Sequence, residues 1–201
     1  MRKVILQMQM SVDGYFAAVK PDLAWQVWDW GARWSWDELL KQDFNKTFAS
    51  IDCILLSRNL AEEGYLTHWG NAANRFPADP CYAFARRIVD ADKVVFSTKL
   101  ETSKWERTRV AQKSLADEVA ALKRRRGKNI IAFGGIRFAS ALVAEGLVDE
   151  FHLFVNPTAV GAGQSIFSER RGALPLELLR SQAYLCGIVV NCYAPRRKRG
   201  R

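Results

Sequence analysis

The chain has 201 residues, enough for one domain with a substantial core, and its 49% hydrophobic and 25% charged residues are typical of a globular protein. No apolar run approaches the roughly 20 residues that a membrane-spanning helix needs, so we expect no membrane partner. The net charge of +9 comes partly from two basic segments, residues 123–128 and 195–201. They could be solvated ends, bind nucleic acid or help attract an anionic ligand, although no recognised nucleic-acid module accompanies them.

The first residues, MRKVILQMQMSVDG, resemble a signal peptide only superficially. Their apolar part is short, Gln7 and Gln9 interrupt it, and no small-residue cleavage site follows. The four cysteines include no C-x-x-C pair and there are only two histidines, which disfavours a structural zinc site. We therefore expect no metal and a reducing, cytoplasmic location.

The predicted elements begin with an apolar strand at residues 3–12, which a glycine turn ends at Asp13-Gly14. The segment 19–36 looks irregular and holds five of the seven tryptophans. The segment SWDE matches a capping box, with Ser35 as N-cap and Glu38 reaching back, and predicts a helix through residue 50. The elements expected after it are a strand at 52–57, a short helix, a loop at 71–80, a helix at 81–91 and a strand at 92–97.

The second half continues the alternation of helices and strands. The expected elements are a short strand near 108–111, a helix at 114–127, a strand at 129–133, a helix at 137–146, a strand at 149–158 and one long final strand at 184–194. Such alternation predicts βαβ units and a mainly parallel sheet. No long helix joins the last two strands, so the final strand should be antiparallel. We predict one domain over residues 1–194 and a basic tail over residues 195–201.

The pair Gly134-Gly135 lies between a predicted strand and a predicted helix. In parallel α/β sheets, ligands bind at the carboxyl ends of strands, and a helix N-terminus there favours an anion. Glycines would let backbone N–H groups approach that anion closely. The pair does not form G-x-G-x-x-G, so the dinucleotide fingerprint fails, and positive φ or tight packing would equally explain it.

Three other strand ends are also polar or small. They are the segments Ser11 to Gly14, Ser57 to Asn59 and Ser97 to Lys99. If these strands are parallel neighbours, hydroxyls, an arginine and a lysine meet Gly134-Gly135 along one edge. Such a set suits a phosphorylated ligand, and its cations suit a phosphate monoester. The exception is Asp13, which could contact a substrate amine or carry a proton.

The order of these motifs resembles the dihydrofolate-reductase-like family. The segments MQMSVDGYFA, DCILLSRN, KVVFSTKLE, NIIAFGGIRFASALVAEGLVDEFHLF and GIVVNCYAP carry the resemblance, which covers the chain from residue 3 to about 194. It is closest to the carboxy-terminal reductase domain of riboflavin biosynthesis proteins and their single-domain relatives. The resemblance implies a three-layer α/β/α fold with a mostly parallel central sheet and an antiparallel C-terminal strand, NADPH as hydride donor, and a homodimer.

The resemblance also implies roles for individual residues. Gly134 and Gly135, with the helix start at Ile136, Arg137 and Phe138, would hold the pyrophosphate of NADPH. The adenosine 2′-phosphate would lie near Ser57, Arg58, Ser97, Thr98 and Lys99. Asp13 and Gly14 would lie beside the nicotinamide and substrate, with Asp13 as the candidate catalytic residue. The tryptophans are either a packing cluster or a wall for a flat heterocycle, Trp30 among them.

The chain departs from the family pattern at two strand ends. After the second strand it keeps Arg58 but lacks the usual glycine and threonine, and after the third strand the cation is shifted to Lys99. The sequence therefore leaves three functions open. They are an NADPH-dependent reductase of a planar nitrogen heterocycle or ribosylaminopyrimidine, a non-catalytic nucleotide-binding protein, and a nucleic-acid-binding protein that uses the basic tail.

Overall fold

The structure is a computed structural model and describes residues 1–20, 22–27 and 35–196. Its strands are β1 (Val4–Ser11), β2 (Ala17–Ala18), β3 (Ile51–Ser57), β4 (Asp92–Phe96), β5 (Thr108–Val110), β6 (Asn129–Phe133), β7 (Glu150–Asn156), β8 (Gly163–Gln164), β9 (Leu176–Ala183) and β10 (Val189–Pro195). Its α-helices are α1 (Glu38–Ala49), α2 (Arg58–Glu62), α3 (Tyr65–Arg75), α4 (Ala83–Asp90), α5 (Leu115–Arg124) and α6 (Ile136–Ala144). A single 3₁₀ turn, Pro80–Tyr82, precedes α4.

The main sheet of the described chain has eight strands in the order β5-β4-β3-β6-β1-β7-β10-β9. Pairings from β5 across to β7 are parallel, whereas β10 pairs antiparallel with both β7 and β9. This confirms the predicted mostly parallel sheet with an antiparallel C-terminal addition. The physical reason is that helices connect the parallel strands, while the turn between β9 and β10 is too short for a crossover.

Two apolar cores lie on opposite faces of the sheet. One packs α1, α3 and α4 against the strands through side chains such as Phe48 and Phe84. The other packs α5 and α6 against the strands through side chains such as Leu122 and Leu142. The arrangement confirms the predicted α/β/α layers. Strands buried on both faces explain why β3 and β6 read as continuous apolar runs rather than alternating ones.

The start of the first helix differs from the expected capping box. The N-cap is Asp37 rather than Ser35, and its Oδ1 accepts a hydrogen bond from the N–H of Leu40 at 3.0 Å. Its second oxygen, Oδ2, accepts from the N–H of Cys186 at 3.0 Å, in the turn between β9 and β10. A contact so distant in sequence adds to the local preference and helps to fix the helix start at residue 38.

The segments 71–80 and 184–194 also differ from expectation. Helix α3 extends into the segment 71–80 as far as Arg75, because Tyr65, Trp69 and Ala73 bury one face of it. The predicted final strand is a turn at 184–188 followed by β10, and the preceding β9 was not predicted. Apolar residues continue through the turn, where Leu185 is 98% exposed, so hydrophobicity alone did not mark it.

Several features of the sequence lie outside the described residues. They are Trp30, with Trp28 and Trp34, and residues 197–201 of the basic segment. Strand β10 extends to Pro195, and the N–H of Arg196 donates to the carbonyl of Pro175 at 2.9 Å.

The double role of Asp37 generates a stability prediction. We expect Asp37→Ala to lower the free energy of unfolding by about 1–2 kcal/mol, because both N–H donors lose their acceptor. Asp37→Asn keeps a side-chain oxygen and should lower the free energy of unfolding by less. Urea unfolding of the two variants measures the difference, and an unchanged midpoint for Asp37→Ala would show that neither hydrogen bond stabilises the fold.

Candidate functional site

Four strand ends converge at one edge of the sheet, because β4, β3, β6 and β1 are parallel neighbours. The register places Ser57 beside Phe96 and Leu56 beside Phe133, so the junctions after these strands lie side by side. The expectation that the four strands are neighbours is confirmed. Their carboxyl edge is where an open parallel sheet binds ligands.

A cavity of about 320 Å³ opens at this edge, on the face that carries α1 and α3. Its volume is that of a small-ligand pocket. The lining residues are Gln7, Met8, Gln9, Phe16, Ala17, Gln26, Trp36, Phe44, Leu60, Tyr65, Trp69, Phe133, Gly134, Gly135 and Ile136. Within the described part of the chain, this lining contains no Asp, Glu, Lys or Arg. The cavity is therefore an aromatic space whose polar side chains include three carboxamides.

The two glycines at the mouth of the cavity have different surroundings. A Cβ on Gly134 would lie 2.6 Å from the ring of Phe138 and 3.0 Å from the side chain of Ser57, so close packing requires glycine there. Gly135 is exposed, it is the N-cap of α6, and a Cβ there would meet nothing within 4 Å. Gly134 lets the strand pack against its neighbours, while Gly135 leaves open space beside the helix.

The first turn of α6 faces this open space without a side-chain cap. The first N–H groups of any helix have no intrahelical acceptor, and they carry the positive end of the helix dipole. A bound anion would supply the missing acceptors. Of the residues predicted to hold a pyrophosphate, Gly134, Gly135 and Ile136 line the cavity, whereas Arg137 is exposed and Phe138 packs on Phe96, with ring centroids 5.4 Å apart.

The predicted 2′-phosphate residues lie along the same edge, outside the cavity. Ser57 is the N-cap of α2, and its hydroxyl accepts from the N–H of Leu60 at 3.4 Å. Arg58 forms an ion pair with Glu62 one helical turn later. Ser97 accepts from two backbone N–H groups, those of residues 99 and 100, at 2.9 Å each. Both serines therefore stabilise turns, and their role towards a phosphate stays a prediction.

The remaining two residues of that set, Thr98 and Lys99, are exposed. Lys99 lies in the turn that Ser97 closes after β4, and Arg58 follows the neighbouring strand β3, so both residues are at the same edge of the sheet. The edge thus carries cations outside an uncharged cavity. This separation would let one ligand place its phosphates and its ring in different surroundings.

Asp13 follows β1 but does not line the cavity. Its carboxylate accepts from the N–H of Gly161 at 2.7 Å and from that of Val160 at 3.1 Å. The Ser11 side chain, followed by these backbone groups, holds the pKa of Asp13 below its ordinary value, so it is ionised at neutral pH. The next residue, Gly14, has φ of 91°, which suits glycine in this turn. Asp13 joins the end of β1 to the loop after β7, and its catalytic role stays a prediction.

The sequence reasoning missed much of the cavity wall. Gln7 and Gln9 point to the same side of β1, and two carboxamides on one side of an otherwise apolar strand were a readable signal of a polar site. Tyr65 and Trp69 belong to α3, most of which was expected to be loop. Trp36 stacks on Phe154 at 5.3 Å between ring centroids and also lines the cavity, so it serves packing and wall together.

Metal-binding clusters and membrane-spanning helices are both absent from the described residues. That part of the chain holds no group of three His, Cys, Asp or Glu side chains that could bind a metal ion. Its helices are too short and too polar for any of them to cross a bilayer.

Comparison with known proteins identifies the family. The model of the RibD C-terminal domain matches residues 2–190. The chain belongs to the RibD C-terminal domain family. Uncharacterized protein YyaP of Bacillus subtilis (strain 168) is 22% identical over 192 residues, which cover 96% of this chain and 94% of that protein.

Two solved structures show the same fold as this RibD C-terminal domain. The putative riboflavin biosynthesis protein from Shewanella sp. PV-4 has a TM-score of 0.66 and 19% identity, over 97% of this chain and 99% of that one. The pyrimidine reductase-like protein from Corynebacterium diphtheriae has a TM-score of 0.61 and 15% identity, over 98% of this chain and 93% of that one. They bear out the three-layer fold over nearly the whole chain.

The unequal surroundings of the two glycines generate a second stability prediction. Gly134→Ala should lower the free energy of unfolding by about 1–3 kcal/mol, because its methyl group overpacks the contact with Ser57 and Phe138. Gly135→Asn should change it little, because the site is open and Asn is a favourable N-cap. Urea unfolding compares the two, and equal losses would contradict the assignment of separate roles.

Proposed function

We propose that this protein is an NADPH-dependent reductase that transfers a hydride to a C=N or C=O bond of a planar nitrogen heterocycle or a ribosylaminopyrimidine. The observation that carries the proposal is the uncharged aromatic cavity beside the open N-terminus of α6. Family membership supports a reductase. The relatives described as a putative riboflavin biosynthesis protein and a pyrimidine reductase-like protein agree with this substrate class.

The residues at the carboxyl edge fit a phosphorylated dinucleotide. The first N–H groups of α6 would donate hydrogen bonds to the pyrophosphate, because no side chain caps them. Gly135 leaves the space in which the pyrophosphate would lie. Arg58 and Lys99 would hold the 2′-phosphate, with Arg58 exchanging its exposed ion pair to Glu62 for the phosphate. The aromatic cavity between β1 and α3 would receive the nicotinamide and the substrate ring.

The protein would contribute orientation and exclusion of water to the reaction. Bound NADPH supplies the hydride, which adds to the carbon of the C=N or C=O bond. Aromatic side chains such as Trp36, Tyr65 and Trp69 would pack against the two rings and exclude water from the cavity. The nitrogen or oxygen must also gain a proton. Asp13 is ionised at neutral pH and holds no proton of its own, so we propose that its carboxylate takes up a proton from solvent and passes it on through an ordered water.

The pyrophosphate assignment is tested with a matched pair of variants. Gly135→Asp places a negative charge at the helix N-terminus and should weaken NADPH binding about fivefold or more. Gly135→Asn has nearly the same shape and capping ability without the charge, and should bind within about twofold of the unaltered protein. Titration near physiological salt, followed by energy transfer from tryptophan to bound nicotinamide, measures both affinities.

The same titration with NADH tests the phosphate cations. Saturable binding that prefers NADPH supports the roles of Arg58 and Lys99. Equal affinity for NADH and NADPH would contradict the roles of Arg58 and Lys99 in binding the 2′-phosphate and leave the rest of the proposal unaffected. No binding of either dinucleotide would refute the reductase, and binding without turnover of any pterin or aminopyrimidine would favour a nucleotide sensor.

The proton path is tested at Asp13. We expect Asp13→Asn to lower turnover about 100-fold, because the amide cannot relay a proton, while NADPH affinity changes no more than about threefold. Steady-state rates with the best heterocycle found give the turnover. Hydrogen exchange of the Val160 and Gly161 amides serves as control, since the Asn oxygen can still accept from them. Unchanged turnover with protected amides would leave Asp13 as a structural residue.

A further inference from the structure

Asn156, at the end of β7 and hydrogen-bonded to Gln9 in the cavity wall, has a fixed orientation. Its Oδ1 accepts from the backbone N–H of Val27 at 2.8 Å, and a backbone N–H can only donate. Its Nδ2 lies 3.1 Å from the carbonyl of Phe154 and 3.3 Å from that of Met10, which can only accept. Asn156 is 1% exposed, so exchanging its oxygen and nitrogen would leave several buried groups mismatched.

This orientation determines that of Gln9. The Nδ2 of Asn156 also donates to the Oε1 of Gln9 at 2.8 Å. The carboxamide of Gln9 therefore turns its oxygen towards Asn156 and its NH₂ group away from it. Gln9 lines the cavity, and within the described residues this NH₂ group has no hydrogen-bond partner. This NH₂ group can therefore donate a hydrogen bond to an acceptor in the cavity.

A second carboxamide lies next to it on β1. Gln7 points to the same side of the strand, roughly 7 Å away along the chain. It is only 9% exposed, it lines the cavity, and its carboxamide has no hydrogen-bond partner among the described residues. The amide atoms of Gln7 are not among the buried unpaired polar atoms of the described residues, so they are accessible from the cavity. A ligand that covers them without supplying partners would leave them buried and unpaired, so a ligand that supplies partners binds more tightly. Unlike Gln9, Gln7 is free to present either its oxygen or its NH₂ group.

The rest of the lining restricts the ligand further. In the ranges that the structure describes, the wall has no charged side chain, and it includes the rings of Trp36, Phe44, Tyr65, Trp69 and Phe133. An ionised group in such surroundings would lose its hydration without gaining a counter-ion. A flat ring without formal charge would keep its faces against the aromatic side chains.

We propose that the cavity selects an uncharged lactam ring, and that Gln9 recognises it by donating from Nε2 to a ring carbonyl oxygen. Gln7 lies beside the neighbouring position and pairs with the adjacent ring N–H or carbonyl. Any phosphate on the substrate lies outside this uncharged cavity. This inference rests on the proposed function for the claim that the ring is the substrate, whereas the recognition of the ring is independent of turnover.

Three ring probes test the selection in the unaltered protein. They are 5,6-diaminouracil, which has ring carbonyls, 4,5-diaminopyrimidine, which has none, and orotate, a pyrimidinedione with a carboxylate. We expect 5,6-diaminouracil to bind about tenfold or more tightly than each of the other two at pH 8, because they lack the acceptor or carry a charge. Quenching of tryptophan fluorescence and calorimetry measure the affinities. Equal binding of the first two probes, or tighter binding of orotate, would overturn the proposal.

Variants then assign the selection to Gln9. Gln9→Met keeps the length of the side chain. It should weaken the binding of 5,6-diaminouracil about tenfold and leave the affinity for 4,5-diaminopyrimidine unchanged. Gln42→Met, the same change at an exposed position on α1, should leave both unchanged. An equal loss of affinity for both probes in Gln9→Met would show that Gln9 only shapes the cavity. The probe comparison in the unaltered protein stands even if the variant folds poorly.

NADPH titration of the same proteins separates the two proposals. Gln9→Met should bind NADPH within about threefold of the unaltered protein, because the sites proposed for the pyrophosphate and the 2′-phosphate do not involve Gln9, and Met preserves the size of the side chain beside the nicotinamide. Normal NADPH binding without preference among the ring probes would refute the lactam site and leave the reductase. Selective ring binding without NADPH binding would refute the reductase and leave the lactam site.

Discussion

The common direction of β4, β3, β6 and β1 is the constraint on which the candidate site depends. Parallel pairing forces each strand to be followed by a connection that starts at the same edge. The polar junctions after these strands, far apart in the chain, therefore become neighbours. The backbone of the edge supplies N–H groups at the start of α6, and the sheet face beside it supplies the floor of the cavity. The position of the candidate site at this edge is a consequence of strand direction.

The edge separates two kinds of chemistry over a short distance. Charged side chains such as Arg58 and Lys99 lie at its rim, where solvent reduces the cost of ionisation. The cavity between β1 and α3 is aromatic and amide-lined, and there a hydrogen bond counts for more and a charge costs more. A ligand with a charged part and a neutral flat part matches this division. The distribution of polarity along the edge therefore supports the proposed reductase as much as any single residue does.

Tertiary hydrogen bonds fix the orientation of a polar side chain in the cavity wall. Asn156, on β7, connects three segments, because it bonds to Val27, to Gln9 and to backbone carbonyls of two strands. A buried network in which each member has one permitted orientation fixes its neighbours as well. Asp37 has a comparable structural role, since it caps α1 and accepts from the turn before β10. In both cases one side chain joins elements that the sequence places far apart.

The sequence determined the layered α/β/α fold, the mostly parallel sheet and the position of Gly134-Gly135 between strand and helix. The parallel sheet and the glycine junction follow from the alternation of strands and helices and from turn residues, which short segments contain by themselves, whereas the three layers were implied by the resemblance to a known family. The tertiary structure decided that Asp37 rather than Ser35 caps α1, that α3 extends to Arg75, and that β9 precedes a turn in which Leu185 is exposed. It also decided that Gly134 is required by packing while Gly135 faces open space. These outcomes depend on contacts between residues distant in sequence, which no local pattern contains. The cavity shows the same division, because Gln7 and Gln9 were visible as polar residues in an apolar strand, but only the position of Asn156 determines which way Gln9 points.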